Sequence, residues 1–278
     1  NNGSATPLLE EDGISINTAT EPVYSLSLDQ SSRRGFANWM KGDYLGTGSL
    51  GPVYEDGQGK KSVIQLEQEV SLLSQLQHEN IVRYLGTDKD DSKLYIFLDL
   101  ATGSSLAKLY QNYELRAPQV SAYTRQILSG LNYLHDRNVV HRDIKCANIL
   151  IDATGSAKLA DFGLAKTIAL NGISYCKGTA YWMAPEVVIN RSNKGYGLAA
   201  DIWSLGCTVL EMLTRETPYS NMEVMRALFK INTGVLPHIP NTLSAEANDF
   251  ILKCLQVNPD NRPTTAELLD HPFVKRQL

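Results

Sequence analysis

Cysteine is scarce in this sequence, and its few copies are scattered. The four cysteines are Cys146, Cys176, Cys207 and Cys254, and no two of them form a CxxC pair. Disulfide-rich scaffolds and structural zinc sites both need closely spaced cysteines, so the sequence argues against both classes. Single, dispersed thiols are typical of proteins in a reducing compartment. We therefore expect a cytoplasmic location, with the nucleus as a second location that the sequence leaves open.

Long apolar runs and an excess of positive charge are also missing. No run approaches the ~18 residues that a membrane-spanning helix requires. The net charge of −4 argues against a nucleic-acid-binding surface. No charged-then-apolar signal segment follows Asn1. With 43% hydrophobic and 20% charged residues, we predict a soluble globular protein, and we expect the chain to be a fragment of a longer one.

The beginning of the chain differs in composition from the rest. Residues 1–38 are rich in Ser, Thr, Asn, Asp and Glu, and their apolar residues are too scattered to set a period. This composition predicts a disordered leader over 1–38. The composition changes at Trp39, and we place the folded domain at 39–276.

Two polar loops lie between His141 and Gly163. Each follows a short apolar run suited to a buried strand, so we expect one rim to collect Asp143, Lys145, Asn148 and Asp161. The oxygen atoms of Asn148 and Asp161 suit Mg²⁺. Asp143 can accept a proton from an attacking hydroxyl, and Lys145 can neutralise charge on a transferring phosphoryl group. The alternative is a polar strand-turn-strand without chemistry.

A glycine-rich turn precedes these loops. Residues 41–54, KGDYLGTGSLGPVY, predict a strand, a turn and a second strand. Gly46, Gly48 and Gly51 allow the backbone to approach phosphates that a Cβ would keep away. A dinucleotide-binding fold would continue into a helix after Gly51, whereas residues 52–55 have an extended pattern. The pattern therefore favours a hairpin that covers phosphates.

Further elements follow from periodicity. Residues 78–84 and 93–98 predict two strands joined by a polar turn. Apolar residues recur at helical spacing from Val120 to Leu134. Residues 199–213 are apolar on nearly every side, as in a helix buried at the centre of a lobe.

Taken in order, the motifs resemble those of eukaryotic serine/threonine protein kinases. More narrowly, GDxLGxGSxGxVYE, HENIVRYxGT, HRDIKCANIL, KGTAYWMAPEV and ADIWSLGCTVLEML resemble MEKK-type mitogen-activated protein kinase kinase kinases, most of all plant members. The resemblance implies an α+β bilobal fold. It comprises a small β-rich N-lobe at 39–98, a hinge at 99–103 and a larger, mainly helical C-lobe at 104–276. It also implies ATP and Mg²⁺ as cofactors, a MAP kinase kinase as protein substrate, and an upstream activating kinase or adaptor as partner.

The resemblance also implies roles for the site residues. Asp143 would orient the substrate hydroxyl, and Lys145 would stabilise the γ-phosphate. Asn148 and Asp161 would hold Mg²⁺. The implied adenine-contacting residues are Val53, Leu98 as the gatekeeper, Asp99, Ala101 and Leu150.

Structural or regulatory roles are implied for Glu69, Arg142, Ser174, Thr179, Glu186, Asp201 and Arg262. Arg142 implies a phosphate acceptor in the activation segment, and the candidates in falling order are Ser174, Thr179 and Thr167. An unmodified loop hydroxyl is the alternative at each of them. Lys145 together with Thr179 is the pattern of serine/threonine kinases. Glu186 would pair with Arg262, and Asp201 would hold the catalytic-loop backbone.

One element of the resemblance is missing from the sequence. Kinases carry a strand whose lysine binds the α- and β-phosphates and pairs with a helix glutamate, which here is Glu69. Such a strand and its turns need roughly 12 to 20 residues, whereas only residues 55–61 precede a helix predicted at 62–77. An alternative makes Val63–Gln65 the remnant strand, but this puts Gln65 where the lysine belongs. We therefore expect fewer strands in the N-lobe, and the alternative function is a pseudokinase scaffold that arose by an in-frame deletion.

Overall fold

The computed structural model of this chain describes residues 23–24, 44–46, 73–89, 94–99, 104–162, 166–167, 179–189 and 197–275. Several predicted site residues lie outside these ranges, namely Gly48, Gly51, Val53, Glu69, Ala101 and Ser174. Residues 55–61, where the sequence predicts that the lysine strand is missing, also lie outside them.

Short antiparallel strand pairs make up the β-structure of the described residues. The strands are β1 Val23–Tyr24, β2 Tyr44–Gly46, β3 Tyr84–Lys89, β4 Leu94–Leu98, β5 Val139–Val140, β6 Ile149–Ile151, β7 Ala157–Leu159 and β8 Lys166–Thr167. The pairs are β1 with β2, β3 with β4, β5 with β8, and β6 with β7. Strand β1 belongs to the segment predicted as a disordered leader, and the rest of 1–38 lies outside the described residues.

The strand predicted over residues 78–84 begins only at Tyr84, so this prediction was wrong in its bounds. The reason lies in the preceding residues, whose backbone bonds to β7 instead. The amide of Leu159 donates to the carbonyl of Asn80 at 2.8 Å, and the amide of Val82 donates to the carbonyl of Leu159 at 2.9 Å. These groups therefore cannot extend the β3–β4 ladder. The second predicted strand is present as β4.

The C-terminal part of the chain is mainly helical. Its helices are α1 Leu106–Asn112, α2 Ala117–His135, α3 Pro185–Ile189, α4 Leu198–Thr214, α5 Val224–Asn232, α6 Ala245–Cys254 and α7 Thr265–Leu269. Short 3₁₀ turns occur at Cys146–Asn148, Ala180–Trp182 and Pro259–Asn261. Side-chain caps fix several starts: Ser105 accepts from the Lys108 amide before α1, and Thr264 and Glu267 form a capping box at α7. Among the described helices, none is both long and apolar enough to cross a membrane.

Helix α4 lies at the centre of the core, as its apolar sequence predicts. Every residue from Ala200 to Met212 is buried, and Trp203 and Phe250 are the largest fully buried side chains near it. A Cβ added at Gly206 would lie only 2.6 Å from the Cβ of Cys254, so α4 and α6 pack in close contact. The predicted periodicity of α2 is also confirmed, because Val120, Ile127, Leu131 and Leu134 are buried on one face. These two helices hold the loop at 141–148.

Candidate active site

Asp201, in the first turn of α4, holds the backbone of the loop at 141–148. Its Oδ2 accepts from the His141 amide at 2.8 Å, and its Oδ1 accepts from the Arg142 amide at 2.9 Å. The Nε2 of His135 lies 3.0 Å from Oδ2 as well. Arg142 has a φ of 72°, a left-handed conformation that costs roughly 1–2 kcal/mol for a residue with a Cβ. The two bonds to a fully buried carboxylate stabilise this conformation.

His141 joins this loop to the segment at 160–162. Its ring packs against Phe162 with the centroids 4.9 Å apart, and its Nε2 lies 3.1 Å from the carbonyl of Ala160. Burial lowers the pKa of His141, against the opposite effect of the Asp201, Asp143 and Asp161 charges. The ring is therefore neutral near pH 7, and Nε2 donates its proton to the Ala160 carbonyl.

Asp143 is the centre of a group of donors that converge from both sides. Its Oδ2 accepts from Lys145 Nζ at 2.8 Å and from Asn148 Nδ2 at 2.7 Å. Its Oδ1 accepts from the hydroxyl of Thr179 at 2.9 Å, and the same hydroxyl lies 2.5 Å from Lys145 Nζ. The structure thus brings Asp143, Lys145, Asn148 and Thr179 together, although Thr179 is 36 residues from Asp143.

The charge state of Asp143 follows from these contacts. Burial alone would raise the pKa of Asp143, but the hydrogen bond and charge of Lys145, with hydrogen bonds from Thr179 and Asn148, hold it below its usual value. The carboxylate is therefore ionised at neutral pH. It is only 5% exposed, so the charge acts on whatever occupies the adjoining cleft with little screening by water.

Asn148 and Asp161 supply the oxygen atoms that a cation could bind. The Asn148 amide nitrogen is used within the loop, because it donates to the carbonyl of Asp143 at 2.9 Å and to its Oδ2. The side-chain oxygen of Asn148 is then the atom that can bind a metal. The backbone that leads into Asp161 adjoins that of Asn148, because the amide of Ala160 donates to the carbonyl of Asn148 at 2.9 Å.

The donor chemistry of these two residues fits Mg²⁺. Mg²⁺ prefers hard oxygen ligands and usually combines one or two protein ligands with water and substrate phosphates. Within the described residues, no group of three or more His, Cys, Asp and Glu is arranged to hold a metal ion. Two protein oxygen ligands are enough for a Mg²⁺ site whose other ligands are phosphates and water.

Three of the predicted adenine-contacting residues, Leu98, Asp99 and Leu150, lie within the described ranges. Leu98 ends β4 and is 39% exposed, and the amide of Asp99 donates to the carbonyl of Arg83 at 2.7 Å. Leu150 is half-buried, and it alternates with Ile149 and Ile151, which are buried on the opposite face of β6. Gly46 is the last residue of β2.

The segment after Thr179 is attached to the core. Arg262 donates from Nη1 and Nη2 to the two oxygens of Glu186, at 2.6 and 2.8 Å. Trp182 and Met183 are buried, and the hydroxyl of Tyr181 donates to the carbonyl of Met222 at 3.0 Å. The structure therefore brings Glu186 and Arg262 together, and it fixes the segment that leads to them from the Asp143 cluster.

The sequence of this chain is similar to those of known proteins. The profile of the protein kinase domain matches residues 50–274. The chain belongs to the protein kinase family. Mitogen-activated protein kinase kinase kinase 1 of Arabidopsis thaliana is 56% identical over 288 residues, which cover 97% of this chain and 46% of the relative. Mitogen-activated protein kinase kinase kinase 3 of the same plant is 57% identical over 256 residues, covering 85% of this chain and 46% of the relative.

The similarity extends beyond flowering plants. Mitogen-activated protein kinase kinase kinase 1b of Physcomitrium patens is 50% identical over 264 residues, covering 88% of this chain and 34% of the relative. This kinase domain thus spans less than half the length of these relatives. Each of these three alignments is longer than the stretch of this chain that it contains, by about 18 to 20 positions. The relatives therefore contain residues that this chain lacks.

One residue of the kinase domain that the sequence analysis missed is Glu211. It lies in α4, is 2% exposed and accepts hydrogen bonds from Tyr110, Cys146 and Trp182. Burial raises the pKa of Glu211, and the hydrogen bonds from these partners oppose that rise. The signal in the sequence was a single acidic residue near the end of an otherwise apolar helix.

Proposed function

We propose that this chain is a serine/threonine protein kinase that transfers the γ-phosphate of ATP to a MAP kinase kinase. One observation carries the proposal: a buried, ionised Asp143 accepts bonds from Lys145, Asn148 and Thr179 beside a pair of oxygen ligands suited to Mg²⁺. This arrangement combines a proton acceptor, a cation for phosphate and a metal site within a single rim.

Asp143 is the residue that would meet the substrate hydroxyl. Its Oδ1 accepts from the Thr179 hydroxyl at 2.9 Å, so this oxygen already points toward the segment on which a peptide would lie. A substrate serine or threonine that takes the place of this bond would donate its proton to an ionised carboxylate. Asn148 and Lys145 hold the other oxygen, so the carboxylate keeps its orientation as the hydroxyl enters.

Lys145 would supply the positive charge for the transferring phosphoryl group. Its ammonium bonds to Asp143 and Thr179, and its side chain is 18% exposed, so it is fixed in direction but open to the cleft. The oxygen atoms of Asn148 and Asp161 would hold Mg²⁺. When bound, Mg²⁺ neutralises charge on the phosphates of ATP.

The identity of the protein substrate is supported by the relatives, which are named as mitogen-activated protein kinase kinase kinases. An acceptor in the activation segment would be regulated by an upstream kinase or adaptor, through pairing with Arg142. The Thr179 hydroxyl bonds to Asp143 and Lys145, which supports proposing Ser174 ahead of Thr179 as that acceptor. A cytoplasmic location remains part of the proposal.

A second candidate function rests on the missing lysine strand. The 18 to 20 residues that the relatives have in excess agree with the length of a strand and its turns. If positioning by that lysine contributes roughly 3 to 4 kcal/mol to the transition state, its loss slows transfer by about a hundred- to a thousandfold. The chain would then act mainly as a scaffold that competes for the partners of an active kinase.

The first experiment measures thermal stabilisation by ATP, with and without Mg²⁺, for this chain and for Asp161→Ala. We expect a Mg²⁺-dependent rise in melting temperature that disappears in the variant. An absence of any shift at millimolar ATP would contradict the enzyme and favour the scaffold.

The second experiment measures phosphate transfer to a MAP kinase kinase. We expect Asp143→Asn to lower kcat by about a hundredfold or more, because the proton acceptor is lost. Asp152→Asn, which changes a half-buried carboxylate in the turn between β6 and β7, is the matched control and should keep the activity. Equal activity in all three proteins would assign the transfer to a contaminating kinase.

A further inference from the structure

Strand β1 pairs with a strand that leads into the predicted nucleotide site. Its partner is β2, and the two run antiparallel with Val23 opposite Gly46 and Tyr24 opposite Tyr44. Gly46 is the first of the three glycines in the turn predicted to cover the phosphates of ATP. A segment before the predicted kinase domain, to which the phosphoryl-transfer mechanism assigns no role, therefore contacts the strand that enters this turn.

The contact between β1 and β2 is a backbone ladder. Antiparallel strands exchange hydrogen bonds between their main-chain N–H and C=O groups, and in strand addition these bonds provide the affinity. The ladder is short, because β1 has only two residues. The chain that joins the two strands runs through residues 25–43, and closing such a connection costs entropy. The pairing is therefore weak on its own, so binding of a ligand nearby can shift it.

The register of the ladder is irregular beside Gly46. Between Val23 and Tyr24 the partner changes from Gly46 to Tyr44, so the ladder passes over Leu45. An extra residue on one strand is the pattern of a β-bulge, which bends the strand and increases its local twist. Bulges are common next to active sites, where they redirect or end a strand. The contact with β1 thus acts on β2 at the point where the predicted turn begins.

Gly46 is also the residue of β2 whose backbone gains most from being held. Glycine loses more conformational freedom on ordering than any other residue. The pairing opposite Val23 keeps Gly46 in an extended strand, so part of this loss occurs before a nucleotide arrives. A site that is ordered before binding loses less entropy when the ligand binds, and its affinity is higher.

We propose that Val23–Tyr24 form an intramolecular strand that raises the affinity for ATP by holding the backbone at Gly46. The proposal rests on the proposed kinase function for its ligand, but the pairing itself can be measured without nucleotide. Because the coupling between two equilibria is reciprocal, ATP in turn stabilises the pairing of β1 with β2.

Substitutions in the full chain separate main-chain pairing from side-chain contacts. The double variant Val23→Pro and Tyr24→Pro removes both amide donors of β1. The double variant Val23→Ala and Tyr24→Ala keeps these donors and removes most of both side chains. The matched control places two prolines elsewhere in residues 1–38, as Ile14→Pro and Ser15→Pro.

Amide hydrogen exchange without nucleotide tests the pairing. In the proline variant of β1, exchange should accelerate about threefold or more in peptides that cover 44–46, while α4 keeps its protection. The alanine variant and the proline control should stay within about twofold of the parent protein. Equal exchange in the parent and in the proline variant of β1 would overturn the pairing. Equal acceleration in the alanine variant or in the control would contradict a main-chain contact at these residues.

The dissociation constant of ATP with Mg²⁺, measured by calorimetry, tests the coupling. We expect it to rise about three- to tenfold in the proline variant of β1 and to stay within about twofold in the control. ATP should also slow exchange at 44–46 more in the parent than in the proline variant. An unchanged dissociation constant together with lost protection would overturn the coupling. If the parent binds no ATP, the proposed kinase function and the coupling both fail, whereas lost protection in the proline variant would still establish the pairing.

Discussion

Arg262 and Glu186 form a two-point ion pair, 76 residues apart in the chain, in which the Arg262 side chain is fully buried. The guanidinium also donates to the carbonyls of Ala199 and Gln256, both at 2.8 Å. Each nitrogen of the Arg262 guanidinium therefore has a fixed acceptor. The pair ties the substrate segment to the start of α4 and to the loop before the 3₁₀ turn at Pro259–Asn261.

We expect Arg262→Met to lower the free energy of unfolding by about 3 kcal/mol, since it leaves a partly buried Glu186 and the carbonyls of Ala199, Gln256 and Val257 without their donor. Chemical denaturation with a constant m-value measures the loss. Lys253→Met is the matched control, because Lys253 pairs with Asp249 at the exposed surface and its removal should change stability by less than about 0.5 kcal/mol. Similar losses in both variants would contradict a special role for the buried pair.

The hydroxyl group of Thr179 should affect kcat more than the shape of its side chain does. Thr179→Val keeps the branched side chain and the amide bond to Asp143 but removes the hydroxyl's bonds to Asp143 and Lys145, so we expect kcat to fall about tenfold while the melting temperature changes little. Thr179→Ser keeps the hydroxyl and should retain most of the activity. Steady-state kinetics with a MAP kinase kinase substrate measures both, and a serine variant as slow as the valine variant would refute the hydroxyl as the cause.

Gly206 should not tolerate a methyl group. In an open helix, Gly→Ala stabilises by about 1 kcal/mol, but here the new Cβ would meet the Cβ of Cys254 at 2.6 Å. We expect Gly206→Ala to destabilise the protein by about 1–3 kcal/mol, as overpacking does. Gly197→Ala meets no atom within 4 Å and has a negative φ, so it serves as the control; because Gly197 is the N-cap of α4, we expect a cost below about 1 kcal/mol. Thermal melting of the two variants would show the difference directly.

The ionisation of Glu211 should make the protein less stable as pH rises. Because burial raises its pKa in the folded state above the usual 4.5, the folded protein still binds this proton at pH values where the unfolded chain has released it. The free energy of unfolding therefore falls as pH rises from about 4.5 through the folded-state pKa. The groups that face Glu211 stay neutral over this range, since burial raises the pKa of Tyr110, Cys146 and Cys207.

The measurement compares the parent protein with Glu211→Gln, which cannot ionise. We expect the stability of the parent relative to this variant to decrease as pH rises from about 4.5 toward 8. Denaturation at several pH values measures the difference. A relative stability that increases with pH would mean that the hydrogen bonds from the three partners outweigh burial.

Much of the catalytic loop could be predicted from the sequence, because its chemistry is local. Asp143, Lys145 and Asn148 lie within six residues, and their side chains meet through bonds that span at most five positions. The buried faces of α2 and α4 were equally predictable, since periodicity alone determines which side of a helix is apolar. The contact of Thr179 with Asp143 was not predicted, because it spans 36 residues and the resemblance linked Thr179 only with Lys145.

The features that could not be predicted depend on distant backbone groups. Glu211 accepts bonds from residues 29, 65 and 101 positions away, and nothing in the local pattern identifies those partners. The start of β3 was misplaced for the same reason, because Asn80 and Val82 bond to Leu159. The left-handed conformation of Arg142 is also unmarked in the sequence, since the position is not a glycine.

The bonds by which Asp201 holds the loop determine which mutations the fold can accept. Asp201 bonds to the backbone amides of residues 141 and 142, which every residue but proline possesses. The path of the loop at these two residues is therefore independent of the side chains that they carry. Mutations can remove the reactive groups one at a time and leave the framework standing, so a kinase can lose its activity long before it loses its shape.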